Sequence, residues 1–288
     1  MKTIKKIYSI LLISVILFSC STELKRYPFE DTISKNQLVY LENDMSLVNG
    51  IVYLKNLNNT LNKEITYIDG EKEGLESSWY INGQLKSEDN WKEGKKEGLR
   101  KNWYENGQIK EEGNFKNEKQ DGVHKMWREN GEIWSEGNYI NGKKDGVHKG
   151  WNKNGELVSE NNHIDGKEDG LYKGFYKNDQ LFMEGNFKNG KKDGIHKMWR
   201  ENGEIWSEGN YIDGKEDGEH KNWNENGDLS YTSNYKGGKR DGIYKSYIDG
   251  ELSSSSEYKN GKEDGLFKSY YKGKLSFTFE YKDGKRID

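Results

Sequence analysis

Hydrophobic and polar residues alternate along most of this chain, in short runs separated by turn-forming residues. Between Val123 and Tyr139, one alternating run precedes Glu129-Asn130-Gly131 and a second run follows it. Alternation with a period of two is typical of β-strands, and Asn-Gly between two such runs is a strong hairpin signal. Glycine recurs throughout and alanine is missing from the sequence, which disfavours helices. The pattern therefore predicts antiparallel β-hairpins.

The hairpin pattern repeats with a period of 24 residues. Residues 124–140 and 196–212 are identical, and their separation of 72 corresponds to three periods. Such repeats stack on their neighbours and do not fold singly. We predict an all-β fold, an elongated single-layer antiparallel β-sheet of stacked hairpin repeats over residues 46–288, with residues 20–45 as a tether and N-terminal cap. One glycine series that marks the period is Gly50, Gly74, Gly98, Gly122, Gly146, Gly170, Gly194, Gly218 and Gly242.

The register of each hairpin follows from the need to bury one face. A two-residue turn would pair Arg128 with Ile133, whereas a three-residue loop with a left-handed Gly131 pairs Trp127 with Ile133. We favour the three-residue loop, because it places the apolar residues of a unit on one buried face. That face would carry Val123, Trp127, Ile133 and Tyr139. The outer face would carry His124, Met126, Arg128, Trp134, Glu136 and Asn138, and in the second copy His196, Met198, Arg200, Trp206, Glu208 and Asn210.

The N-terminus has the layout of an export signal. Lys2, Lys5 and Lys6 precede an apolar run over residues 7–18, which is too short to span about 30 Å of hydrocarbon as a helix. The run ends in Leu-Phe-Ser-Cys20, which resembles the lipobox of bacterial lipoproteins. The resemblance implies that residues 1–19 are a signal peptide and that the Cys20 sulfur receives a diacylglyceryl group. The alternative is an ordinary secretion signal with an incidental cysteine.

A lipid at Cys20 would make the membrane a partner of the mature protein. We expect it to be anchored in the cell envelope, either at the outer membrane or at the outer face of the plasma membrane.

The repeat itself also resembles a known family. The pattern Gly137-x-Tyr139-x-x-Gly142-x-x-x-Gly146 is similar to the closing half of a MORN repeat, and it recurs at Gly185 and Gly209. The chain more closely resembles the MORN-repeat variant of YwqK-type antitoxin proteins. The resemblance implies stacked hairpins used for binding and, for that group, toxin neutralisation. A toxin is therefore one candidate partner.

Composition narrows the function further. The 288 residues contain 46 Lys+Arg and 49 Asp+Glu, a formal net charge of -3 without a basic block, which argues against nucleic acid as a partner. Charged residues make up 33% of the chain and the mean hydropathy is -1.15, so a thick hydrophobic core is excluded. The aromatic fraction of 13% argues against disorder.

No catalytic or metal site is predicted. The sequence lacks phosphate-loop, serine-elbow and metalloprotease motifs, and nearly every polar residue has repeated equivalents, so we expect neither enzymatic activity nor a cofactor. Four of the five histidines occupy the same strand position, which suggests a metal-binding stripe. Their strands are about 9.5 Å apart, too far for shared ligation at about 2 Å. We expect these histidines to be solvated on the outer face.

The outer face is instead a candidate binding surface. Trp, Arg and Met are residue types that anchor interfaces, and the predicted binding residues are Trp134, Arg128 and Met126 with their copies Trp206, Arg200 and Met198. The alternative is that the tryptophans only cover their neighbours. The sequence favours a protein-binding scaffold, including an immunity role, over a surface that binds glycan or cell wall.

Overall fold

The computed structural model describes residues 23–287, and nearly all of them lie in β-strands or turns. One short 3-10 helix spans Phe29–Asp31. Within residues 23–287 no helix is long and apolar enough to cross a membrane. The predicted signal peptide, residues 1–19, and the predicted lipidation site, Cys20, lie outside the described residues.

The strand bounds follow the 24-residue period. The N-terminal strands are β1 (Arg26–Pro28), β2 (Thr32–Lys35), β3 (Leu38–Leu41), β4 (Gly50–Lys55), β5 (Leu61–Ile68), β6 (Glu71–Trp79), β7 (Leu85–Lys92), β8 (Lys95–Lys96) and β9 (Gly98–Trp103). The central strands are β10 (Ile109–Lys116), β11 (Lys119–Trp127), β12 (Ile133–Ile140), β13 (Lys143–Trp151), β14 (Leu157–Ile164), β15 (Lys167–Phe175), β16 (Leu181–Lys188), β17 (Lys191–Trp199) and β18 (Ile205–Ile212). The C-terminal strands are β19 (Lys215–Trp223), β20 (Leu229–Lys236), β21 (Lys239–Ile248), β22 (Glu251–Lys259), β23 (Lys262–Glu263), β24 (Gly265–Tyr271), β25 (Lys274–Lys282) and β26 (Lys285–Arg286).

From β4 onward these strands form one long open antiparallel sheet. Successive strands pair with each other, with β8 and β9 both on β7 and β23 and β24 both on β22. At the N-terminal end β1 adds to β4 in parallel, and β2 and β3 form a separate hairpin. The predicted all-β, single-layer stack of hairpins is confirmed.

Two kinds of turn alternate along the sheet. At one edge Trp127 pairs with Ile133, and Gly131 has a φ of 86° and donates its N–H to the Arg128 carbonyl at 2.9 Å. This is the predicted three-residue loop with a left-handed glycine. At the other edge Asn141 and Gly142 both have positive φ, 52° and 82°, as a type I′ hairpin turn requires.

A β-bulge next to the first turn changes which residues share a face. Trp127 pairs with Ile133 but Met126 pairs with Ser135, so Trp134 is an extra residue in its strand. An extra residue resets the side-chain alternation of the strand relative to its partner. The same bulge recurs in the other units, at Lys110, Val158, Phe182, Trp206 and Ser230 among them.

The predicted faces are therefore wrong beyond the bulge. His124 pairs with Gly137 and lies on the same face as Tyr139, whereas Val123 pairs with Asn138 on the opposite face and is 47% exposed. The sequence analysis expected His124 and Met126 to share the outer face with Glu136 and Asn138. In the structure these two pairs of residues lie on opposite faces.

The histidines are buried, which corrects the expectation that they are solvated. Their exposed fractions are 5–6%. Four of the five imidazoles lie against a glycine of the preceding strand, and a Cβ built on that glycine would overlap the ring. The Nε2–H donates to the carbonyl of the residue after the glycine, at 2.7–2.9 Å. The pairs are His124 on Gly113, His148 on Gly137, His196 on Gly185 and His220 on Gly209.

Two other repeats vary this pair in the same way, whereas nearer the N-terminus the equivalent pair is Ile65 with Glu76. Where the glycine is replaced by Asn161 or Ser233, the ring on the following strand is Tyr172 or Tyr244. In these two repeats the glycine and the histidine are thus replaced together.

These rings form continuous rows with the aromatic residue that closes each unit. Ring centroids in the two rows are 4.8–5.5 Å apart. Aromatic pairs at such distances contribute about 0.5–1.5 kcal/mol each beyond their burial. The rows are Phe115–His124–Tyr139–His148–His163 and Phe187–His196–Tyr211–His220–Tyr235.

A ladder of ion pairs runs across the opposite face. Lysine and glutamate alternate from strand to strand and pair at 3.1–3.8 Å, for example Lys125 with Glu136 and Lys149 with Glu160. The side chains are 30–41% exposed, so each pair contributes only about 0.2–1 kcal/mol. The alternation favours one register, since like charges opposite each other are destabilising.

The described residues bury few aliphatic side chains, and these lie at the N-terminal end. Val39, Val48, Val52 and Tyr67 form a cluster where the first strands meet the sheet. In the array, hydrogen bonds tie each I′ turn to the preceding unit: the Gly142 N–H donates to the Gln120 carbonyl at 2.8 Å. The array is therefore held together by contacts between neighbouring units.

We expect Gly137→Ala to destabilise the protein by about 1–3 kcal/mol, because the added methyl overlaps the His148 ring in a filled site. Urea denaturation measures the loss. Gly174→Ala is the matched control, since a Cβ at that strand glycine meets its nearest atoms at 3.4 Å, an ordinary contact. Equal losses for the two variants would contradict the packing described above.

Candidate functional site

The extra residues of the bulges form one row along the edge with the three-residue loops, here called the bulge row. Four consecutive units place large apolar residues in it, and Trp134, Phe182 and Trp206 are 39%, 36% and 37% exposed. The row reads Lys86, Lys110, Trp134, Val158, Phe182, Trp206 and Ser230. The two predicted tryptophans thus belong to a longer apolar stripe.

In four units the bulge-row side chain packs on the residue that opens the loop of the same unit. The Lys110 ammonium lies 5.4 Å from the Tyr104 ring centroid, and the Arg200 guanidinium lies 5.8 Å from that of Trp206. Both distances fall in the range of cation–π contacts.

The loop-opening residue also ties its unit to the next one. Nη2 of Arg128 donates to the Trp151 carbonyl at 2.7 Å, and Nη2 of Arg200 donates to the Trp223 carbonyl at the same distance. Tyrosine hydroxyls make the equivalent bond in other units, as from Tyr104 to the Trp127 carbonyl at 2.9 Å. The two arginines therefore hold neighbouring units together at this edge of the sheet. That they also contact a partner directly stays a prediction.

The two predicted methionines lie one row further into the sheet. Met126 pairs with Ser135, and Met198 pairs with both Ser207 and Met183. Both methionines are half-buried. The structure thus brings Arg200 and Trp206 together at the edge and places Met198 behind them.

A cleft of about 580 Å³ opens between the units of Phe182 and Trp206. Sequence reasoning identified only Arg200 and Trp206 in it. The residues it missed include Tyr176, Phe182, Trp199, Glu201 and Glu225. Comparing the bulge position from unit to unit would have revealed Phe182, but Glu225 is brought in by the following unit and shows no local pattern.

A second exposed row lies on the opposite face. Val123 and its equivalents are aliphatic in most units, and their exposed fractions are 36–53%. The row consists of Leu75, Leu99, Val123, Val147, Leu171, Ile195, Ile243 and Leu266. Both faces of the sheet therefore present apolar rows that repeat with the period of the hairpins.

Residues 23–287 form a single-layer sheet with repeated edge residues and without an enclosed chamber, which defines the class of this protein as a repeat scaffold. Six of its units match the family described as MORN repeat variant. No curated protein matches the chain. The unit at 144–165 lies between the matched stretches. It has Asn161 and His163 where its neighbours carry glycine and an aromatic residue, but its strands keep the register of the other units. The matched residues are 72–93, 96–117, 120–141, 168–189, 192–213 and 216–236.

Burial changes the titration of the histidines. It lowers the pKa of His148, His163 and His196 below the ordinary value of 6.5, and the nearby ammonium groups of Lys144 and Lys192 act in the same direction. The Asn138 carbonyl acts in the opposite direction on His148, as does Glu168 on His163. These rings are neutral structural groups at neutral pH.

We expect the free energy of unfolding to fall as pH falls from 7.5 to 5.5. The folded-state pKa values lie below the unfolded value, so the unfolded chain binds more protons and the stabilisation is lost as pH falls from about 6.5 toward the folded-state values. Urea denaturation at the two pH values measures the slope. The variant His148→Tyr/His163→Tyr should have a shallower slope, and an unchanged slope would contradict the assignment.

Proposed function

We propose that this protein is a non-enzymatic scaffold of the bacterial cell envelope, anchored by a lipid at Cys20, that binds a protein partner along its bulge row. The observation that carries the proposal is the apolar stretch from Trp134 to Trp206 in four consecutive units, in which Trp134, Phe182 and Trp206 are exposed and Val158 is half-buried. Exposed aromatic residues in a continuous row mark interaction sites more often than scattered ones do.

The periodicity supports a partner that makes several contacts at once. Neighbouring bulge-row residues stand two strands apart, about 9.6 Å along the sheet. An extended partner segment can contact successive units, and linked contacts raise the overall affinity above that of any single contact.

The aliphatic row on the opposite face favours a protein over a glycan as the partner. Leu75, Val123 and Ile195 offer methyl groups, which gain little from a hydroxyl-rich polysaccharide but can be buried against apolar side chains. Glycan or cell-wall binding is the second candidate, since exposed aromatic rings such as Trp134 also suit sugar rings.

We further propose a toxin as one candidate for the protein partner, on the ground that the repeat resembles that of YwqK-type antitoxin proteins. An envelope anchor at Cys20 would suit an immunity protein that intercepts a toxin outside the cytoplasm. Active-site chemistry forms no part of the proposal, because the polar side chains of the bulge row and its neighbours recur from unit to unit, whereas catalysis requires uniquely placed groups.

We expect Trp134→Ser/Trp206→Ser to abolish capture of partner proteins in a crosslinking pull-down, while the far-ultraviolet circular dichroism stays unchanged. Each single variant should reduce capture far less than the double variant, because the remaining tryptophan still engages the partner. The matched control is Ser230→Ala, at the polar end of the same row. Unchanged capture by the double variant would exclude the bulge row as the binding surface.

We expect metabolic labelling with a fatty acid to mark the wild-type protein and to leave Cys20→Ala unlabelled, because Cys20 is the only cysteine of the chain. Equal labelling of both proteins would exclude the anchor and leave the binding surface unaffected.

A further inference from the structure

The contact between the loop-opening residue and the bulge-row residue joins a ring to a cation in several units. Lys86 lies 5.5 Å from the Tyr80 ring centroid, and Lys110 and Arg200 make the same kind of contact with Tyr104 and Trp206. In the unit between Val158 and Trp206 the pair is Tyr176 and Phe182, two rings with centroids 5.3 Å apart. An aromatic ring thus stands at a position where other units supply the cation.

The cleft beside this ring pair has the chemistry of a cation site. Phe182 and Trp206 line it together with Trp199, and two acidic residues, Glu201 and Glu225, also line it. The Arg200 guanidinium within it is engaged, because Nη2 donates to the Trp223 carbonyl and the group lies against the Trp206 ring. Two acidic residues and several aromatic residues thus line an open cleft of about 580 Å³, which is in the size range of binding sites.

The identical segment around Trp134 provides an internal comparison. Residues 124–140 and 196–212 have the same sequence, but the equivalents of Phe182 and Glu225 three units earlier are Lys110 and Lys153. One ring and one carboxylate are thus replaced by two ammonium groups. A cation is attracted by the first environment and repelled by the second.

We propose that the cleft lined by Phe182 and Trp206 binds an arginine side chain of the protein partner. A guanidinium stacks on aromatic faces and also pairs in bidentate geometry with carboxylates. An ammonium can lie over an aromatic ring, but it cannot form the bidentate pair. This inference rests on the proposed function, and it assigns the chemistry of the partner residue that enters the bulge row at its most aromatic point.

The experiment is a titration of the full-length protein, in detergent micelles, with N-acetyl-arginine methylamide, followed by NMR of the indole N–H groups. The resonances of Trp199 and Trp206 should shift in a saturable way, while those of Trp127 and Trp134 in the identical segment should not. The citrulline analogue keeps the shape and lacks the charge, so its binding should be roughly two- to thirtyfold weaker.

Two single variants each introduce at the cleft one of the lysines found near Trp134. Phe182→Lys and Glu225→Lys should each abolish the saturable shift at Trp206 and leave the other indole resonances in place. The reciprocal variant Lys110→Phe/Lys153→Glu should make Trp134 responsive, which separates binding from damage to the fold.

Equal responses of Trp134 and Trp206 would overturn the arginine assignment. So would binding of the citrulline analogue, or of N-acetyl-lysine methylamide, with the same affinity as N-acetyl-arginine methylamide. If no binding occurs but Trp134→Ser/Trp206→Ser still abolishes capture, the arginine site is wrong and the proposed function stands. If the arginine derivative binds at Trp206 but capture is unaffected by that double variant, the cleft stands and the proposed role of the bulge row fails.

Discussion

In four strands of the sheet, an imidazole ring that lies on the backbone of a glycine joins the strand to the one before it. The glycine is needed because a Cβ at Gly137 would overlap the His148 ring, and the Nε2–H of that ring satisfies the Asn138 carbonyl. Repeated along the sheet, this contact does what aliphatic burial does in thicker domains. It explains how a chain with 33% charged residues holds an ordered single layer.

The other features of the sheet follow from that contact. The bulge at Trp134 sets the alternation that brings His124 onto the face of Tyr139, so the ring rows exist only because the second strand of each hairpin carries an extra residue. The same extra residue has no partner across the strand and lies at the edge, where it is exposed. The β-bulge that aligns the ring rows therefore also creates the bulge row, which we propose binds a partner.

The sequence allowed prediction of the period, the hairpins and the three-residue loop, because Asn-Gly and a left-handed Gly131 are local signals. The bulge was not predictable in the same way, since Trp134 looks like any strand residue and only the pairing of Met126 with Ser135 reveals it. That one residue reversed the expected environment of the histidines. The cleft was missed for a different reason: Phe182, Trp206 and Glu225 come from three successive units and meet only after stacking.

The central claim is that the ring-on-glycine contact, and not the period alone, decides which repeats can be neighbours. Two deletions of one period test it by their free energies of unfolding. Deleting residues 122–145 places His148 on Gly113 and should cost little, whereas deleting residues 170–193 places His196 on Asn161 and should cost more. Adding Asn161→Gly to the second deletion should restore most of the loss. Equal stability of the two deletions, or no recovery with Asn161→Gly, would contradict the claim.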